Sequence, residues 1–259
     1  MIDMHTHVLF GVDDGAKTIE NSLDLIKEEI NKGVSKIILT PHFKKRQGET
    51  NVEKITENFI TLRNIVCEEN LKVELFLGSE VYLDHNYYDT LWKEPIITLA
   101  GSDYVLIEFS MMDIPKNIPE ICYEVKLKGF IPIIAHVERY DILYDNPQLI
   151  RDILNEGAHL QINASTIVEK EEKESFKFVN YMLKNELVSF VASDVHNRNS
   201  RAFYLDKAYI VVNKICNHNY AEKIFKENQE KVIMNKYFDS PKLEHKKGFI
   251  SKLFYKKLS

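Results

Sequence analysis

The chain alternates two hydrophobic rhythms. Short runs rich in aliphatic and β-branched residues, Ile2 to His7, Ser35 to Thr40, Val73 to Gly78, Tyr104 to Phe109, Ile131 to His136, His159 to Asn163 and Val188 to Ser193, read as seven strands. Between them, apolar residues recur three and four apart. Ile19, Leu23, Ile26 and Ile30 make one such face, with Thr18 placed to cap its start and Gly33 to stop it. Val52, Ile55, Phe59, Leu62 and Val66 make a second, and Phe176, Val179, Leu183 and Leu187 a third. Strands alternating with helices predict βαβ units around a parallel sheet. Near-continuous apolar segments such as Lys36-Ile-Ile-Leu and Ile131-Pro-Ile-Ile-Ala predict strands covered on both faces.

Polar residues decide between an open doubly wound sheet and a closed (β/α) barrel. An open sheet gathers its site at one switch point, whereas a barrel draws residues from the carboxyl ends of many strands. Here His5 and His7 end the first strand, Asp14 follows in Val-Asp-Asp-Gly, and His42 closes Leu-Thr-Pro-His. Glu80 lies in Gly-Ser-Glu, Glu108 in Leu-Ile-Glu-Phe, His136 in Ile-Ala-His-Val-Glu-Arg, and Asp194 and His196 in Ala-Ser-Asp-Val-His. At least six of the seven predicted strands end in such residues, so a barrel is expected. No linker or repeat interrupts residues 1–239, which read as one domain.

Composition narrows the class. The 259 residues are 44% hydrophobic and 28% charged, an ordinary globular balance that excludes disordered or collagenous chains. The N-terminus has neither a basic stretch nor a long apolar core, and no apolar run nears the ~20 residues of a membrane helix, so a cytoplasmic protein is expected. Cys67, Cys122 and Cys216 fit neither a disulfide framework nor a zinc site. A net charge of −5 argues against nucleic-acid binding. That charge is uneven. Residues 240–259 carry Lys242, Lys246, Lys247, Lys252, Lys256 and Lys257 against Glu244, which is +5 and leaves −10 on the body. Phe249, Ile250, Leu253, Phe254 and Leu258 would give this tail an apolar stripe suited to an anionic membrane surface or acidic partner; the alternative is a solvated tail packed loosely on the barrel.

Side chains two apart on a strand face one way, so His5 and His7 can grip a single metal ion. A glutamate inside Val-Leu-Ile-Glu-Phe and a histidine after Pro-Ile-Ile-Ala are costly to bury singly, but a shared metal cluster satisfies all of them. His5, His7, Asp14, His42, Glu80, Glu108, His136, Asp194 and His196 exceed the needs of one ion. Three divalent cations would bring these groups to about +2, favouring hydroxide and a phosphate dianion. Imidazole mixed with carboxylate suits Mn, Fe, Co or Zn. Arg139 and Arg201 follow His136 and His196 closely enough to share the barrel mouth, where guanidinium forks match phosphate oxygens; surface ion pairing is their alternative role. No cysteine is followed six places on by arginine, and no DxD nucleophile, G-x-S-x-G elbow or Walker A loop occurs. Metal-activated water is the nucleophile left.

These motifs, with Met-Ile-Asp-Met-His-Thr-His and Val-Asp-Asp-Gly-Ala-Lys at the start and Gly-Ser-Glu-Val, Ile-Ala-His-Val-Glu-Arg and Ser-Asp-Val-His in order, resemble the polymerase-and-histidinol-phosphatase (PHP) superfamily. Within it the resemblance is to the CpsB/CapC-type tyrosine-protein phosphatases of bacterial capsule and exopolysaccharide operons, over residues 1 to about 235. It implies a distorted seven-stranded (β/α) barrel of the PHP type and three metal ions, typically manganese. His5, His7, Glu80 and Asp194 would surround one ion. Glu80 would bridge to a second with Glu108 and His136, and Asp14, His42 and His196 would hold the third. Arg139 and Arg201 match the family's phosphate-handling arginines. Asp3 and Asp13 suit ligation less than Asp14, the sixth strand ending at Asn163 supplies no ligand, and His85, His159, His218 and His245 match no metal position. The implied substrate is the phosphorylated tyrosine-rich tail of a membrane-associated bacterial tyrosine kinase, which places the enzyme near the inner membrane face. Histidinol phosphatase or phosphodiesterase activity, and amidohydrolase chemistry, are the competing readings.

Overall fold

A computed structural model describes residues 1–44, 51–84, 90, 95–169, 173–199 and 201–243. Its strands are β1 Ile2–Thr6, β2 Lys36–Leu39, β3 His42–Phe43, β4 Glu74–Leu77, β5 Glu80–Leu83, β6 Tyr104–Phe109, β7 Ile131–Ile134, β8 His159–Asn163 and β9 Phe190–Ala192. All pair in parallel, in the orders β1-β2-β4 and β3-β5-β6-β7-β8-β9. β2 and β3 are one run interrupted at Thr40-Pro41, and β4 and β5 one run interrupted at Gly78-Ser79. Backbone bonds from Gly78 N to Leu39 O (2.8 Å) and from Glu80 N to Pro41 O (3.1 Å) carry the pairing across the break. On the far side, the Thr6–Val195 bridge and the bond from Asp194 N to His5 O (2.9 Å) return the end of β9 to β1. The seven predicted strands therefore stand in chain order around a distorted parallel barrel. The differences from the sequence expectation are the two interruptions, one of them at a proline, which has no N–H to donate to a ladder.

Two apolar layers hold this frame. Met4, Ile38, Leu106, Ile133, Phe190 and Ala192 fill the barrel interior, and Leu99, Tyr104 and Val232 pack with them. Outside, helices cover the strands. Ile19–Asn31 starts where Thr18 Oγ1 accepts from Asn21 N (3.3 Å), and Val52–Glu68 where the Asn51 side chain accepts from Lys54 N (2.9 Å). The predicted stripe of the second helix buries Ile55, Phe59, Leu62 and Val66. Truncating Ile55 or Leu62, at 1% and 0% exposure, to alanine would cost about 2–5 kcal/mol. The third predicted face differs at its end. Helix Lys173–Lys184 stops before Leu187, because Glu186 turns left-handed (φ 53°), and Leu187 is buried beyond the helix.

β1 breaks strict alternation. Met4 belongs to the interior cluster, so a regular strand would turn His5 outward, and a one-residue slip would move every later side chain to the other face. The pairing register with β2 shifts between Asp3 and Thr6, and this irregularity restores His5 and His7 to the interior. At the opposite end, Leu243 packs on the core and its carbonyl accepts from Arg151 Nε (3.4 Å). Residues 244–259, which hold most of the basic tail, and His85 and His245 lie outside the described residues. No helix among the described residues is long and apolar enough to cross a membrane.

Candidate metal centre

The carboxyl ends of the strands converge on one cluster. Glu80, 1% exposed at the start of β5, sits at its centre. Its Oε1 lies 2.9 Å from His136 Nε2 and 3.3 Å from His5 Nε2, and its Oε2 lies 2.8 Å from His42 Nδ1 and 3.4 Å from His7 Nε2. Glu108, from β6, comes within 3.5 Å of His136 Nε2 and 3.7 Å of His42 Nδ1. Asp14 Oδ1 is 3.4 Å from both His42 Nε2 and His196 Nε2. Asp194 Oδ1 is 3.5 Å from His5 Nε2 and 3.4 Å from His7 Nε2. Three sets have ligand-type atoms all within 4.8 Å of one another: His5, His7 and Glu80; His42, Glu80 and Glu108; and His7, Asp14, His42 and His196. These sets hold seven of the nine residues singled out from the sequence, with His7, His42 and Glu80 shared between sets, and His136 and Asp194 join the cluster through their contacts to Glu80, Glu108, His5 and His7.

Local structure explains the aim of each ring. Asp13 Oδ2 accepts from His7 Nδ1 (2.7 Å) and from the His42 backbone N–H (3.2 Å), while its Oδ1 accepts from Gly15 N (2.9 Å). Ala16 N donates to the His7 carbonyl (3.0 Å), so the Val-Asp-Asp-Gly loop lies flat on His7. Only glycine fits there, since a Cβ on Gly15 would strike the His7 carbonyl oxygen and come 2.6 Å from His7 Cβ. His136 (φ 31°) and Asp194 (φ 53°) both leave their strands in the left-handed region, where backbone strain commonly marks function. His159, by contrast, sits among Tyr104, Phe190 and Phe238, and His218 meets Tyr209 at the surface. Asp3 ties β1 to β9 by accepting from Ser193 N (3.1 Å).

The electrostatics are those of a site made for cations. Burial opposes ionisation of Asp194, but His5, Arg139, His7 and Arg201 together hold its carboxyl well below the usual range. Glu80 is likewise held down against burial by His5, His136 and His42. Burial and the neighbouring Glu80 carboxylate push Glu108 up to about 7. Burial works against a proton on His7, yet Asp13 and Glu80 raise it to about 10.

The residues also pass a direct test of fit. His7 Nδ1 is held by a carboxylate, an acceptor, so in the neutral ring that ligates a metal Nδ1 carries the proton and Nε2 offers its lone pair. His5 Nδ1 faces the Gln161 carbonyl oxygen (3.1 Å), with the same result. The two Nε2 atoms lie 3.2 Å apart, both turned toward Glu80 and Asp194. The carboxylates that favour a proton at this point favour equally a divalent cation, which would take the proton's place between the two rings.

Arg139 and Arg201, each about a third exposed, border the cluster. Arg139 Nη2 donates to Asp194 Oδ2 (2.9 Å), and Arg201 Nη2 lies 2.8 Å from both Asp194 oxygens. A cleft of about 350 Å³ opens beside Asp14 and His196, with Lys17 and Arg198 on its walls and Ala16 and Leu25 beneath. Sequence reasoning missed Gln161, Asn163 and the carboxylate of Glu138, which accepts from Asn163 N (2.9 Å) and Thr166 Oγ1 (3.3 Å). Their signal was polar residues alternating with Leu160 and Ile162 in a strand buried throughout.

Fold and cluster together define a metal-dependent hydrolase barrel of the PHP type. The chain belongs to the family described as "Capsular polysaccharide synthesis, CpsB/CapC", whose model matches residues 1–234. It is 38% identical over 240 residues to the tyrosine-protein phosphatase CpsB of Streptococcus pneumoniae, covering 91% of this chain and 99% of that protein. It is 30% identical over 214 residues to the tyrosine-protein phosphatase YwqE of Bacillus subtilis strain 168, covering 83% and 84%. Among solved structures, one from a study of YwqE from Bacillus subtilis and CpsB from Streptococcus pneumoniae, described as metal-dependent tyrosine phosphatases, superposes with a TM-score of 0.85 at 28% identity, covering 94% of this chain and 99% of that one. A histidinol phosphate phosphatase of Lactococcus lactis shares the fold alone, with a TM-score of 0.51 at 15% identity over 83% and 93% of the two chains.

Proposed function

We propose that this protein is a metal-dependent protein-tyrosine phosphatase acting in the control of capsular or extracellular polysaccharide synthesis. The observation that carries the reading is the convergence of His5 Nε2 and His7 Nε2, 3.2 Å apart, on the carboxylates of Glu80 and Asp194. His5, His7, Glu80 and Asp194 would hold one divalent cation, Glu80, Glu108 and His136 a second, and Asp14, His42 and His196 a third. His7 and His42 also lie close enough to be shared. Manganese suits this imidazole and carboxylate set. Such ions, when bound, neutralise phosphate charge and lower the pKa of water toward ~7.

The protein's own groups do the rest. Arg139 and Arg201 stand about a third exposed at the rim, where their guanidinium groups would orient phosphate oxygens. Asp194 fixes both arginines from one side, so neither has to be ordered when substrate arrives. A phenolic leaving group, with a pKa near ~10, departs with less protonation than an alkyl alcohol needs. The absence of a Cys-x5-Arg loop leaves no cysteine route.

The substrate class is a phosphotyrosine segment of a bacterial tyrosine kinase. The basic residues after Leu243 would hold the enzyme at the anionic inner membrane face, so residues 240–259 act as a tether on a catalytic domain of residues 1–239. Deleting residues 244–259 should abolish sedimentation with anionic vesicles without changing peptide turnover; unchanged sedimentation removes the tether. The activity itself is tested by phosphate release from phosphotyrosine peptide, phosphoserine peptide and histidinol phosphate, before and after chelation. Preference for the tyrosine peptide, lost with chelator, is expected. Preference for histidinol phosphate would replace the substrate, and chelator-resistant turnover would remove the metal mechanism.

A further inference from the structure

β8 is the strand from which no metal ligand was expected, and its inward face is built of amides. Gln161 is 0% and Asn163 1% exposed, two apart on the strand, facing the cluster. One backbone donor fixes the orientation of the whole array. His136 N–H lies 2.9 Å from the Gln161 side chain, and a backbone N–H can only donate, so the atom facing it is the carbonyl Oε1. That same oxygen faces His5 Nδ1 at 3.1 Å, which must therefore carry a proton, so the neutral ring has its lone pair on Nε2. Gln161 Nε2 then donates to Asn163 Oδ1 (2.8 Å), which turns Asn163 Nδ2 toward Asp194 Oδ2 (2.8 Å). With Arg139 and Arg201 also donating, Oδ2 of Asp194 is fully occupied, and Oδ1 is the oxygen nearest His5 and His7.

We propose that Gln161 and Asn163 are positioning residues for the metal centre, a two-amide relay that selects the Nδ1–H tautomer of His5, holds His136 in its left-handed turn and points one oxygen of Asp194 inward. The relay spans residues from four strand ends, yet neither amide would touch a metal or substrate. It rests on the metal-centre reading above. Groups that orient metal ligands through hydrogen bonds typically govern affinity by about 10–100-fold.

Replacement of Gln161 by methionine keeps the length of the side chain and removes both its acceptor and its donor. Gln161→Glu keeps the two acceptor contacts to His5 and His136 but sets a second acceptor against Asn163 Oδ1, so Asn163 must turn its amide over. Each protein is freed of metal, checked for cooperative thermal unfolding, and titrated with Mn2+ while free ion is followed by electron paramagnetic resonance. Nitrogen-15 spectra of the Zn2+-loaded proteins report which imidazole nitrogen is protonated. Wild type should show His5 with protonated Nδ1 and ligated Nε2. Gln161→Met should lose about 10–100-fold in Mn2+ affinity and the single His5 tautomer. Gln161→Glu should recover that tautomer and bind Mn2+ at least about threefold more tightly than Gln161→Met. Wild-type affinity and an unchanged nitrogen-15 pattern in Gln161→Met would overturn the relay while leaving the metal centre intact. Failure of wild type to bind either ion would overturn the metal centre and the relay with it.

Discussion

Gly15→Ala is the sharpest single perturbation of the loop that carries Asp13 and Asp14. The added methyl would sit against the His7 carbonyl oxygen and 2.6 Å from His7 Cβ, where carbon contacts settle at about 3.5–4.0 Å. Loop and strand must part by about 1 Å. The bond from Ala16 N to His7 O (3.0 Å) and the His7–Asp13 contact (2.7 Å) then stretch beyond hydrogen-bonding range. Losing one neutral bond of about 1 kcal/mol and one charged bond of about 1.5–3 kcal/mol predicts a destabilisation of about 2.5–4 kcal/mol. For a chain of this size that is about 5–16 °C in Tm. Asp14 moves with the loop, away from His42 and His196, so the third cation set loosens as well. The assay is thermal unfolding of both proteins in excess chelator, which isolates the fold, followed by Mn2+ titration. A variant melting within about 2 °C of wild type, with equal Mn2+ affinity, would refute the argument that the close approach at Gly15 builds the site.

His159 is held neutral by burial, down to about 4, so the folded state takes up fewer protons than the unfolded chain below pH 6.5. Stability present above that pH is lost as pH falls, by about 2 kcal/mol at pH 5, and His159→Phe should flatten this slope in acid melting curves. Glu29 is fully buried, and neither of its carboxylate oxygens has a hydrogen-bond partner among the described residues. Burial, Asp3 and Glu28 raise its pKa well above normal, so the folded state is penalised as pH rises through the unfolded value; Glu29→Met should raise Tm at pH 8, with the gain shrinking toward pH 5. Arg201→Lys removes a planar fork that spans both oxygens of Asp194. A loss of about 1.5–3 kcal/mol predicts a fall of roughly 10–150-fold in kcat/KM on phosphotyrosine peptide, and a value within twofold of wild type would contradict the role.

The barrel was legible because its strands are apolar on both faces and the ligands interrupt them. Glu108 inside Val-Leu-Ile-Glu-Phe and His136 after Pro-Ile-Ile-Ala have no other reason to be buried. What the sequence concealed depends on contacts between distant segments. The parity of β1 is an example, since spacing alone pairs His5 with His7, yet Met4 occupies the interior too and only the register shift beside β2 reconciles them. The break at Pro41 is local chemistry that a sequence reading can find, but its partner at Gly78 shows only when the two runs lie side by side. Gln161 and Asn163 were passed over because amides neither titrate nor readily bind metals; their role lies in what they make His5 and Asp194 do. Asp13 was weighed only as a ligand inferior to Asp14, and its hold on His7 Nδ1 shows only in the folded loop.

If the nine converging residues enclose cations, the ions must be visible in a metal-loaded crystal. Anomalous diffraction from crystals of the full chain soaked in Mn2+ tests it directly. Peaks are expected within about 2.3 Å of His5 Nε2, His7 Nε2 and the Glu80 carboxylate, with further peaks beside Glu108 and beside Asp14. A cluster without anomalous density at saturating Mn2+, or density confined to the surface, would contradict it.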